Sequence, residues 1–84
     1  MTTYFFHIRD DDRLIRDEEG LDLPNVAAAR KEAALSAHNI VAEAIGTNEP
    51  LDHVAIEIWD DRHLIETVHL GVLMTGLDSQ TKPH

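Results

Sequence analysis

The chain has 84 residues, a single-domain length, and 43% of its side chains are apolar, which suffices for one shallow core that buries about two-thirds of the unfolded surface. It contains no cysteine, which excludes a disulfide scaffold, a thiolate zinc site and a thiol nucleophile. Sixteen acidic against seven basic side chains give a formal charge of −9, and so sparse a basic complement argues against binding nucleic acid or an anionic membrane.

Acid follows the first apolar residues too closely for a signal peptide. The longest membrane-like stretch, residues 68–77, is about half of what a spanning helix needs. The expected protein is soluble and cytoplasmic. Residues 3–9 predict a strand with Tyr4, Phe6 and Ile8 on one face and Phe5 and His7 on the other. Asp10-Asp11-Asp12 predicts a turn, and residues 13–17 a second strand carrying Leu14 and Ile15. Gly20 ends it, and residues 21–23 lead into a helix. That helix is the clearest signal in the chain, with Asn25 as N-cap and Gly46 as its stop. Val26, Ala29, Ala33, Ala37, Ile40 and Ala44 form the inward stripe, whereas Ala28, Lys31, Leu35, His38 and Ala42 lie opposite.

After a loop at residues 47–52, residues 54–59 alternate as a third strand. Val54, Ile56 and Ile58 face inward, and Ala55, Glu57 and Trp59 face the reverse side. Residues 60–62 turn the chain into a fourth strand, 63–70, in which Leu64, Val68 and Leu70 compete with Ile65 for the core. The whole is an α+β fold of ββαββ order, an antiparallel four-stranded sheet with one helix on one face. A right-handed crossover favours the strand order 2-1-3-4, with 2-1-4-3 as the alternative. Residues 1–77 form the domain and residues 78–84 a flexible C-terminal tail.

Tyr4-Phe5-Phe6, the acidic turn, Asp17-Glu18-Glu19-Gly20, Leu23-Pro24 and the Ala-rich helix together resemble a small bacterial family, common in alphaproteobacteria, whose domain has no known function. The resemblance covers residues 4–70 and implies no catalytic residue. Asp11-Asp12 stands where that family has an Asp-Gly turn, Asn25 where it has a capping Asp, and residues 60–63 lack its glycine. At the level of fold alone, the hairpin followed by an Ala-rich helix is similar to HicB-like antitoxins.

Sites are sparse. Counted from Asp10, an EF-hand loop would need a ligand at its fifth position and Glu at its twelfth. Both positions hold leucine, Leu14 and Leu21, so the acidic run predicts a solvated turn. His7 and Glu57 share the sheet face away from the helix. With His69 they are the candidate metal ligands, although a cross-strand His7–Glu57 pair explains the first two as well. Ser36, Ser79 and His63 sit in no nucleophile pattern, and no glycine-rich phosphate loop exists. No cofactor is expected. Phe5 and Trp59 are the candidate interface residues, since one helix covers only one face of the sheet. Either residues 71–77 fold back over them or a second subunit does. The leading expectation is a non-enzymatic protein-interaction or regulatory module acting as a homodimer. The alternatives are an antitoxin-like partner of a basic protein and a small metal-dependent enzyme using His7, Glu57 and His69.

Overall fold

The computed structural model describes residues 1–71. All of the expected fold-back segment 71–77 except Gly71, and the tail at 78–84, lie outside the described residues. Among the described residues, five strands and one long helix follow in the order β1 (Thr2–Asp10), β2 (Arg13–Ile15), β3 (Leu21–Leu23), α1 (Val26–Thr47), β4 (Val54–Trp59) and β5 (Leu64–His69). The fold is α+β, and its sheet runs β2-β1-β4-β5 with every pairing antiparallel. In the four-strand count this is the 2-1-3-4 order. Among the described residues, no helix is long and apolar enough to cross a membrane.

The expected lead-in at residues 21–23 is itself a strand. β3 pairs Leu23 with Thr2 and Leu21 with Tyr4, while β2 pairs with the other end of the same edge, Ile15 against Ile8. The second strand is therefore split, and it stops at Ile15 rather than Asp17. Between its halves the Asp17 carboxylate takes over the sheet's role: its Oδ2 accepts the Phe6 N–H at 3.2 Å. Its Oδ1 accepts the N–H groups of Glu19 and Gly20, closing an Asx-type turn. Gly20 then reverses the chain at φ +71, a left-handed conformation that costs glycine little.

Helix α1 starts as expected, with the Asn25 side chain accepting the Ala28 N–H at 2.9 Å. It ends later than Gly46. Asn48 takes the left-handed conformation at φ 59 and donates its N–H to the carbonyls of Ala44 and Ile45, the capping role usually given to glycine. Ala29, Ala33 and Ala37 are fully buried, so small side chains bring the helix backbone close to the sheet. Two positions on the helix differ from expectation. Val41 joins the buried stripe beside Ile40, which packs half-buried against the core, and Ala28 is half-buried instead of exposed. The core joins these alanines to Tyr4, Ile56, Ile58, Leu51 and Leu70. Each large aliphatic there contributes about 1.5–3 kcal/mol by leaving water. A bulge at Ile58/Trp59 shifts the β5 register, and this lets Ile65 and Val68 both pack toward the core. Glu66, opposite Ile58, reaches the helix through an ion pair with Arg30 at 2.7 Å.

Candidate binding site on the open sheet face

Alternation along β1 and β4 sends Phe5, His7 and Arg9 to the face away from the helix, directly opposite Trp59, Glu57 and Ala55. Phe5 and Trp59, the candidate interface residues, are cross-strand partners, and each is half-buried within the single chain. His7 stands between them, its ring 6.1 Å from each of theirs, at 25° to Phe5 and 48° to Trp59. Its Nδ1 accepts the Asp17 N–H at 2.9 Å, which fixes the ring and requires a lone pair on that nitrogen.

Glu57 is the centre of the face and is only 8% exposed. Arg9 Nε donates to its Oε2 at 2.9 Å, and Trp59 Nε1 donates to its Oε1 at 2.9 Å. Burial pushes its carboxyl upward. The hydrogen bonds from Trp59 and Arg9, with the charge of Arg9, outweigh that and hold it below the ordinary value. Both oxygens are thus already engaged. His7 lies beside Glu57 as expected, whereas His69 pairs with Ala55 and Glu57 faces Thr67, so His69 sits one ladder step away. Among the described residues, the group whose ligand atoms lie within 4.8 Å of one another is Asp10, Asp11 and His53. There His53 Nε2 meets Asp10 at 3.1 Å and the Asp11 N–H meets the His53 carbonyl, a clasp between two exposed turns. His53 lies over forty residues from Asp10 and Asp11 in the chain, and no local pattern announces the group.

At the Phe5–Trp59 end, the half-buried rings floor a cleft of about 390 Å³. The loop between β2 and β3 forms one wall with Arg16, Asp17 and Glu18, and the β4–β5 turn forms the other with Asp60 and Asp61. Backbone N–H groups of Arg62 and His63 donate to Asp60, at 2.7 and 2.6 Å, and hold its carboxyl below the ordinary value against slight desolvation. The sequence alone indicates the two aromatics but not this cleft, because one wall is a loop whose Arg16 and Asp17 fall within the expected second strand.

A family model described as a domain of unknown function, DUF6894, matches residues 3–71. The chain belongs to that family. The DUF6894 region takes in the helix, both walls of the cleft and all five strands but for Thr2 at the start of β1, and it names no activity for them. No curated protein and no solved structure matches the chain.

Proposed function

We propose that this chain is a non-enzymatic protein-interaction module whose contact surface is the Phe5–Trp59 end of the open sheet face. One observation carries the reading. The middle of that face is closed by the Arg9–Glu57–Trp59 network, whereas its end gathers three rings into a concave surface. Concave aromatic surfaces with a few polar groups at the rim are where proteins bind other molecules. Leu64, which pairs with Trp59 in register and is 46% exposed, extends the apolar area next to the cleft. Acting as a homodimer or on another protein, the module would use the same end.

A photoreactive phenylalanine analogue placed at Leu64, and separately at Leu35 on the outer helix face, tests the surface in living cells. Cross-links from position 64 to a second copy or to another protein are expected, with none from position 35. Cross-links from position 35 alone would move the contact surface to the helix and overturn the reading.

A further inference from the structure

We propose that the cleft is a receptor for a guanidinium group, filled by an arginine side chain from a basic segment of a partner protein. This rests on the open-face reading above and adds the chemistry of the occupant. The floor consists of Phe5, His7 and Trp59, with the His7 ring centroid 6.1 Å from each of the other two, and a planar cation lies flat against such rings. The walls carry four carboxylates, Asp17, Glu18, Asp60 and Asp61, against the one cation of Arg16. Their duties differ. Asp17 is committed to the backbone of Phe6, Glu19 and Gly20, and one oxygen of Asp60 to Arg62 and His63. The second oxygen of Asp60 and the carboxylates of Glu18 and Asp61 hold no hydrogen bond among the described residues. They stand on opposite walls, where a guanidinium fork can be met from two sides.

The indole adds a further argument. Its N–H is tied to Glu57, so the ring is held in one orientation and Trp59 has no donor left to repel a cation. The whole chain carries −9, so a basic segment is also drawn in from a distance. A second copy of this chain would bring the same acidic walls toward their own images. A lysine would be drawn by the charge but would lose the planar stacking and the fork.

The test uses the whole protein and three peptides, acetyl-Gly-Arg-Gly-Arg-Gly-amide and its lysine and citrulline counterparts. Trp59 is the sole tryptophan, so its fluorescence reports the cleft directly. The arginine peptide should change the emission saturably, the lysine peptide should bind more weakly, and the uncharged citrulline peptide should fail. The double variant Glu18→Gln/Asp61→Asn, at two exposed positions, should keep the wild-type circular dichroism and lose affinity by about tenfold. Equal binding of citrulline and arginine peptides, an unchanged affinity in the double variant, or no Trp59 response up to about 10 mM would overturn the proposal. So would dimerisation of the wild-type protein that the double variant abolishes, which would give the cleft to a second copy. Cross-links from position 64 together with silent peptides would leave the contact surface standing and remove only the guanidinium.

Discussion

Gly20 and Asp17 do at single positions what a continuous strand would otherwise do. A Cβ on Gly20 would fall 2.6 Å from Thr3 Cγ2 and 2.9 Å from Phe5 Cε1, and the residue also needs φ +71. Gly20→Ala therefore combines backbone strain with a clash against the cleft floor. It should cost about 1–3 kcal/mol in urea unfolding; a smaller loss than that would mean that the loop relaxes freely. The glycine was legible in the sequence as a breaker. The role of Asp17 was not, because its bond to the Phe6 N–H spans eleven residues and leaves no periodic trace. Glu57 was legible as a face and a neighbour, but its partners Arg9 and Trp59 were not. Its lowered carboxyl sets a pH dependence of definite sign. Ionised Glu57 stabilises the fold above the ordinary carboxylate value of about 4.3, and that contribution disappears as pH falls through the lower folded value. Glu57→Gln should cost about 1 kcal/mol at neutral pH, a modest figure because Arg9 is 39% exposed. The gap between variant and wild type should close on acidification, as unfolding curves at several pH values will show. A gap that widens in acid would mean that burial, rather than the two donors, governs the group.

At the scale of elements, the helix was the most legible part because 22 residues repeat one period and carry a cap at the start. Its end was misplaced since glycine is the commoner left-handed stop and Asn48 takes that role here. Val41 is buried more deeply than Ile40 by rotation: with Ala37 and Ala44 inward, the fourth residue after Ala37 points to the sheet more directly than the third, which packs at the edge of the core. Strand β3 escaped detection because three residues carry no period, and only its pairing with Thr2–Tyr4 defines it. The alanine stripe yields a sharp expectation. Ala33 is fully buried at the helix–sheet contact, so Ala33→Leu should overpack it and cost about 1–3 kcal/mol. Ala34, one residue on, is exposed, and Ala34→Leu should change stability by less than about 0.5 kcal/mol. Thermal unfolding of the pair checks it, and equal losses would show that the outer helix face is buried in an assembly.

For the molecule as a whole, the two possible occupants of the open face predict salt effects of opposite sign. A second copy brings −9 toward −9, with Glu18, Asp60 and Asp61 rimming the surfaces that meet. Salt shortens the reach of that repulsion from about 10 Å at 0.1 M to about 3 Å at 1 M, so self-association should strengthen as salt is added. A basic partner is attracted by the same charges, so its association should slow and weaken as salt is added. Composition made the charge legible from the start, whereas its concentration around the aromatic floor emerged only when the split strand brought the 16–20 loop beside the β4–β5 turn. That concentration favours the partner. Trp59 should accordingly be open to an uncharged quencher such as acrylamide in the isolated protein at low salt. It should become shielded when the arginine peptide is bound, and lose that shielding progressively as sodium chloride rises. Sedimentation equilibrium over the same salt series supplies the second measurement and should give a monomer at low salt. A dimer at low salt, with Trp59 shielded and the assembly abolished by Trp59→Glu but not by Leu35→Glu, would place a second copy in the cleft despite its charge.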